Sequence, residues 1–489
     1  MRRSKRTFVT GSAALGLAVG SLLWQAPTAS AEPECLTSSS DFDRDGTPDI
    51  AVGAPGGSGG TGRDGAVHVR LSNRGHPMTT TITGSPGFGS AVTSLSSYAA
   101  EGDDALCSQL VVGSPDETDR TDMQRTGAVY VYYSNAEMER FVRRSSFHPQ
   151  AQGVGGTEQT GARFGAALAA EQRAADETDP QPERLYVGAP GFDIGGVRDA
   201  GRVTSFWIDN DEDPIAHDTR ILDYTPEYMP GPPRAGAALG SSLSVGGGLV
   251  VAGVPGQTVG GVAGAGAVLV ERLNANPDDF VPVELSQASR GVPGAAEKGD
   301  RFGAAVHLVA DGGQPPTLLV GAPGEDLGRT ADAGAVTVAR LSVDDGEPVG
   351  TVRAVDQGSA GMAGTTEAGD AFGSTVSSMR YANGQSFLVG TPGEDVGSTR
   401  DAGMVQTIGN GVGWTQNTRG VPGNAEAGDR MGASLGGALS SGAQRPLVGV
   451  PGEDSATGAV IVGLPGGTPP VSYLKGIRAG DRFGFTVGP

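Results

Sequence analysis

The chain has 489 residues, among them 82 glycines, 32 prolines and 2 cysteines, and carries a formal net charge of −20. So much glycine excludes long helices, its lack of a triplet period excludes collagen, and the acidic balance excludes a surface that attracts nucleic acid or anionic lipid. What remains is a chain of many short strands joined by tight turns.

Residues Met1 to Ala31 read as an export signal. A basic start (Arg2, Arg3, Lys5, Arg6) leads into the apolar stretch from Gly11 to Trp24, and Ala29-Ser30-Ala31 supplies the small residues of a cleavage site. Ser4 to Val9 loosely resembles a twin-arginine signal, but Lys5 stands where the first arginine belongs, so ordinary secretion is expected. Cleavage before Glu32 leaves 31 basic against 55 acidic residues, a charge of −24. No later stretch is apolar enough to span a bilayer. In an oxidising compartment Cys35 and Cys107, the only cysteines, are expected to form a disulfide.

The next stretch, Asp41 to Pro55, holds two signals. Asp41, Asp43 and Asp45, followed by Gly46 and Asp49, are spaced D-x-D-x-D-G-x-x-D. Alternate aspartates around a glycine-permitted turn supply the several oxygen ligands that a hard cation such as Ca²⁺ needs, with the Thr47 carbonyl as a further donor. A solvated acidic turn is the plain alternative. An EF-hand is excluded, because the twelfth loop position is Val52 where a glutamate belongs.

The second signal is the strand Asp49 to Gly53, stopped by Gly53-Ala54-Pro55. This ending recurs at Gly113-Ser114-Pro115, Gly188-Ala189-Pro190, Gly253-Val254-Pro255, Gly321-Ala322-Pro323, Gly390-Thr391-Pro392 and Gly449-Val450-Pro451, at intervals of 59 to 75 residues. A second mark, a large apolar residue and a glycine leading into a strand, alternates with it: Phe88-Gly89, Phe164-Gly165, Leu239-Gly240, Phe302-Gly303, Phe372-Gly373, Met431-Gly432 and Phe483-Gly484. A third follows each Gly-x-Pro loop as an alternating run such as Gly65 to Val69 or Gly334 to Val338, which reads as a strand with one buried face. Weaker fourth strands are expected near Pro282 to Leu285 and Gly350 to Arg353.

Four antiparallel strands per unit make a propeller blade, and neighbouring blades must stack to bury their faces, with the phenylalanines as filling between them. The ends of the chain are complementary: it opens on a Gly-x-Pro strand with no Phe-Gly strand before it and ends on Gly480 to Val487, a Phe-Gly strand with none after it. The last strand is therefore expected to pair with Asp49 to Gly53 and close the ring, which removes an exposed edge.

Seven alternating pairs of these marks resemble the FG-GAP repeat family, the seven-bladed β-propeller of integrin α-subunits and of many secreted bacterial proteins. The resemblance implies an all-β ring of four-stranded antiparallel blades. The shared blade spans 41–83 plus 476–489, and the others roughly 84–152, 153–233, 234–289, 290–356, 357–418 and 419–475. It implies that the loops after the Gly-x-Pro strands and those entering the Phe-Gly strands share one face, which in integrins binds ligands. The acidic loop resembles the nine-residue calcium loop of integrin-type propellers, so Asp41, Asp43, Asp45, Thr47 and Asp49 carry over as calcium ligands. Asp103-Asp104 sits at a comparable place but lacks the spacing.

Acidic residues also recur on the presumed ligand face. Pro-Gly-Glu-Asp appears at Pro323 to Asp326, Pro392 to Asp395 and Pro451 to Asp454, and Asp300, Asp370, Asp429 and Asp481 each precede a Phe-Gly strand or its Met-Gly counterpart. A ring of carboxylates suits a cationic ligand. The bland account is that such aspartates bond their own turn backbone.

Two G-x-S-x-G strings, around Ser58 and Ser434, raise a hydrolase reading, but neither lies at a strand-to-helix turn. His68, His76, His148, His217 and His307 show no metal spacing. The expected protein is a secreted, calcium-stabilised binding or adhesion module with no chemistry of its own. Its expected partner is an extracellular protein or glycan of cationic character, with no nucleic acid, no membrane span and a monomeric state. A secreted esterase or polysaccharide-active enzyme, and a structural component of the cell envelope, are the alternatives.

Overall fold

The computed structural model describes residues 40–43, 47–56, 64–72, 78–96, 108–118, 125–135, 140–171, 183–208, 216–225, 229, 231–273, 281–310, 314–381, 384–440, 443–465, 471–476 and 478–488. The export segment, Cys35, Cys107, Asp103, Asp104, Asp45, Ser58 and His76 lie outside them.

The strands form seven four-stranded antiparallel sheets. The first holds β1 (Ile50–Ala54), β2 (Gly65–Leu71) and β3 (Met78–Gly84). The second is β4 (Ala91–Ser96), β5 (Ser108–Ser114), β6 (Ala128–Asn135) and β7 (Arg140–Phe147). The third is β8 (Ala167–Ala170), β9 (Glu183–Ala189), β10 (Arg202–Ile208) and β11 (Ala216–Leu222). The fourth is β12 (Leu243–Gly246), β13 (Leu249–Val254), β14 (Ala267–Arg272) and β15 (Val283–Leu285). The fifth is β16 (Ala305–Val309), β17 (Thr317–Ala322), β18 (Ala335–Leu341) and β19 (Pro348–Val355). The sixth is β20 (Thr375–Tyr381), β21 (Gly384–Thr391), β22 (Met404–Thr407) and β23 (Gly413–Trp414). The seventh is β24 (Ser434–Ser440), β25 (Ala443–Val450), β26 (Ala459–Val462) and β27 (Ser472–Lys475).

The last strand, β28 (Thr486–Gly488), joins the first sheet as its inner member. It pairs antiparallel with β1 in the register Ala51↔Gly488, Val52↔Val487 and Gly53↔Thr486. The inner strands touch in sequence around the molecule, β28 meeting both β24 and β4, so the ring is closed. Among the described residues no helix is long and apolar enough to cross a membrane.

Burial grades outward along each blade. Second strands such as β1, β5 and β13 are buried at every residue, because neighbouring blades cover both faces, and they read as unbroken apolar runs rather than alternating ones. Fourth strands such as β19 alternate irregularly with exposed positions. The Phe-Gly phenylalanines fill the gaps between blades: Phe88 packs on Val67 and Val69 of one blade and Leu110 and Val112 of the next. Phe483 does the same between Val460 of the seventh blade and Val52 of the first. Each such ring contributes about 1.5–3 kcal/mol by leaving water.

The two glycine marks interlock across blades. The Gly484 N–H donates to the Gly53 carbonyl at 3.2 Å within the shared blade. The Gly484 carbonyl in turn lies against Gly449 of the seventh blade, where an added Cβ would stand 2.1 Å from that oxygen. Gly53 meets Gly89 of the second blade in the same way, again at 2.1 Å. Glycine is required because backbone abuts backbone. Inner-strand hydroxyls cement the joint: Ser242 donates to the Gly303 carbonyl, Thr375 to Gly432 and Ser434 to Gly484, at 2.7–2.8 Å.

Candidate metal centre

Strand order decides where the acidic loop sits. β1 and β2 run antiparallel with Ile50 opposite Arg70 and Ala54 opposite Ala66, so the loop before β1 lies beside the end of β2. It therefore occupies the face opposite the Gly-x-Pro turns. Its ends are clamped together: the Asp49 N–H donates to the Ser40 carbonyl at 3.0 Å and the Ser40 hydroxyl to the Asp49 carbonyl at 2.8 Å.

Asp41, Asp43 and Asp49 bring carboxylate oxygens within 4.8 Å of one another, and Asp41 and Asp49 are buried. Among the described residues this is the only group of three acidic, histidine or cysteine side chains so placed. Asp49 is held from two sides, accepting from the Phe42 N–H through Oδ2 and from the Ser72 N–H through Oδ1, both at 2.7 Å. The Ser72 hydroxyl also donates to the Thr47 carbonyl at 3.3 Å, so one residue after β2 ties both ends of the loop. Phe42 is buried and packs edge-on against Phe141 of β7 at 5.5 Å, which anchors the loop to the neighbouring blade.

Burial, then the charges of Asp43 and Asp41, push the Asp49 carboxyl up to about 8 against the pull of its two N–H donors. Three carboxylates so close oppose one another's ionisation. An oxygen-only cluster of this charge is the chemistry that accommodates a hard cation. Asp41, Asp43, Asp49 and the Thr47 carbonyl are the groups that would hold one, and Asp45 lies outside the described residues. Sequence reasoning missed Ser40, Phe42 and Ser72. Phe42 was visible as an apolar residue set between two aspartates; nothing local marks Ser72.

The other candidates fall into different roles. Ser434 is 9% exposed, lies within β24 rather than at a turn into a helix, and spends its hydroxyl on the neighbouring blade. His68 Nδ1 is 2.9 Å from the Thr81 hydroxyl, His148 is 3.2 Å from Glu158, and His307 Nε2 is 2.9 Å from the Ser378 hydroxyl. The central channel, about 830 Å³, is lined mainly by inner-strand residues such as Leu168, Val245, Val306, Val376, Leu435 and Val487. Of the recurring acidic residues, Asp326 and Asp395 accept the N–H of Asp332 and Asp401 at 2.9 Å, a turn role. Asp300, Asp370 and Asp429 are buried instead.

Residues 36–69 match the FG-GAP repeat family. No curated protein sequence matches the chain. Among solved structures, the periplasmic gluconolactonase of Pseudomonas aeruginosa is similar at 14% identity and a TM-score of 0.46, over 88% of this chain and 97% of that one. A protein of Bacteroides fragilis named as a candidate 6-phosphogluconolactonase is similar at 11% identity and a TM-score of 0.46, over 92% of this chain and 98% of that one. The fold is a seven-bladed β-propeller, and the FG-GAP repeat match falls on the loop and first two strands of a ring whose seven blades each carry both glycine marks.

Proposed function

We propose that this protein is an exported, calcium-stabilised propeller that works as a binding or adhesion module and presents its Gly-x-Pro face to an extracellular protein or glycan. The observation that carries the reading is the oxygen-only cluster of Asp41, Asp43 and Asp49 at the seam of the ring. It is built from two buried carboxylates and the half-buried Asp43 on a clamped loop and stands on the face away from the Gly-x-Pro turns, which suits a structural ion rather than a catalytic one. Calcium there leaves the opposite face free for a partner. That face carries Asp326 and Asp395 at exposed loops, and the excess of acid over base favours a partner with cationic groups.

The same reading has residues 1–31 removed on export, the mature chain monomeric, and Cys35 joined to Cys107. Thiol titration of the secreted, denatured, unreduced protein is expected to find no free thiol, and two would overturn the bridge.

The function is tested by immobilising the mature protein and capturing ligands from the producing cell's envelope fraction and medium, with and without calcium, while assaying lactone, ester and glycan hydrolysis in parallel. Saturable capture without turnover is the expected result. Turnover that Ser434→Ala or Ser58→Ala removes, with melting otherwise retained, would replace the binding reading with a hydrolase.

A further inference from the structure

Three consecutive blades carry a matched pair of carboxylates, all buried except the half-buried Glu325, that no other blade carries together. In five blades the N–H of the glycine after the Gly-x-Pro mark donates to the carbonyl two residues before the Phe-Gly mark or its Leu-Gly or Met-Gly counterpart, at 3.0–3.1 Å, which aligns the blades residue by residue. The carbonyl belongs to Ala162, Ala237, Asp300, Asp370 and Asp429 in turn. The residue after the donating glycine is Phe192, Gln257, Glu325, Glu394 and Glu453 in the same order. In these five blades both acids are present or both are absent, whereas the shared blade has Asp481 with Gly57 and the second blade has Glu117 with Pro86.

Each pair has a third member. Gln287, Gln357 and Gln416 donate Nε2 to Glu325, Glu394 and Glu453 at 2.5, 2.6 and 2.5 Å. Each aspartate caps its own loop through Oδ2, accepting from the N–H of Glu297, Glu367 or Glu426 at 2.6 Å. The remaining oxygens are stranded. Oε1 of all three glutamines, and Oδ1 of Asp300 and Asp429, have no hydrogen-bond partner, although Asp300 is 0% exposed, Asp429 1% and the glutamines 3–7%. Burial and neighbouring acids raise Asp300 and Asp370 to about 6 and Glu325, Glu394 and Asp429 to about 7.

The stranded atoms of the glutamines and aspartates are oxygen acceptors. A proton shared by the two acids would satisfy one of them and leave the glutamine oxygen bare, whereas a cation satisfies several oxygens at once. We propose that each of these three pockets, Gln287/Asp300/Glu325, Gln357/Asp370/Glu394 and Gln416/Asp429/Glu453, holds one hard divalent cation of the calcium class, with water completing its shell. The pockets lie on the Gly-x-Pro face, opposite the 41–49 loop, and do not depend on the reading of that loop.

The test counts calcium bound at equilibrium dialysis by the full mature chain carrying Asp43→Ala and Asp45→Ala. Three ions per chain are expected. Adding Asp300→Asn, Asp370→Asn or Asp429→Asn should remove one ion each while keeping the fold, because the asparagine oxygen still caps the loop. No bound calcium in this background, or a count that none of the three asparagine substitutions lowers, overturns the proposal. The loop reading fails separately, if wild type and the Asp43→Ala/Asp45→Ala chain bind equal numbers.

Discussion

At the scale of single residues, glycine and histidine at the blade joints give the sharpest expectations. An alanine at Gly449 would put its Cβ 2.1 Å from the Gly484 carbonyl and equally close to the Ser434 hydroxyl, and the Gly484 backbone cannot yield without opening the joint. Gly449→Ala is expected to cost about 3 kcal/mol, the upper end for overpacking, whereas Ser434→Ala removes one hydrogen bond and should cost about 1 kcal/mol. Denaturant unfolding of the two variants checks the order, and equal costs would refute the interlock. His307, in β16, is pushed down to about 4 by burial and meets Ser378 of the next blade. Its folded pKa lies below its ordinary value of 6.5, so the stability it contributes is complete above that value and is lost as pH falls toward 4. The loss is at most about 3 kcal/mol. His307→Gln, which keeps a donor toward Ser378, should flatten the fall in melting temperature between neutral pH and pH 4 relative to wild type.

At the scale of strands, the seam is the weak element. β28 contributes three residues of pairing to β1, and nothing covalent joins the two at that edge. Deleting residues 477–489 should lower the melting temperature of the whole molecule and expose β1 as an edge that pairs with another chain, seen as concentration-dependent association in size-exclusion chromatography. A truncated chain that stays monomeric and melts as wild type does would refute closure by this strand. The inner and second strands were legible in the sequence because glycine and a large apolar residue are forced there by backbone contact and by the gap between blades. Fourth strands were less so: the one at Pro282 to Leu285 was expected and is found at Val283–Leu285, but Gly413–Trp414 is too short to show a period. The backbone-bonding role weighed for these aspartates is what the structure shows, but the burial of most of the acids was not legible, because Pro-Gly-Glu-Asp looks like a solvated turn when read alone. The aspartate of that turn is one; the glutamate beside it is not. What separates them, the place of the second acid at the joint within each blade, emerges only once the blades are aligned by their hydrogen bonds.

At the scale of the molecule, the ring distributes continuity unevenly. In six blades the first and second strands are joined by chain, but in the shared blade that connection is cut, and the acidic loop stands on the N-terminal side of the cut. Through Ser72 the loop fastens the start of β1 to the end of β2, and through Phe42 it leans on β7 of the next blade. An ion that neutralises Asp41, Asp43 and Asp49 therefore tightens the strand on which closure depends. A ligand that binds only the folded state stabilises by RT ln(1 + [L]/Kd), about 2.7 kcal/mol at a hundredfold excess over Kd. Chelation should lower the melting temperature of wild type further than that of the Asp43→Ala/Asp45→Ala chain, and the difference between the two falls is the share of this loop. Amide hydrogen exchange locates the effect: in the variant, and in chelated wild type, protection should drop first at Val52 and Val487, the paired residues of β1 and β28. Equal falls in melting temperature for both chains, with exchange at the seam unchanged by chelator, would show that the loop does not brace the closure.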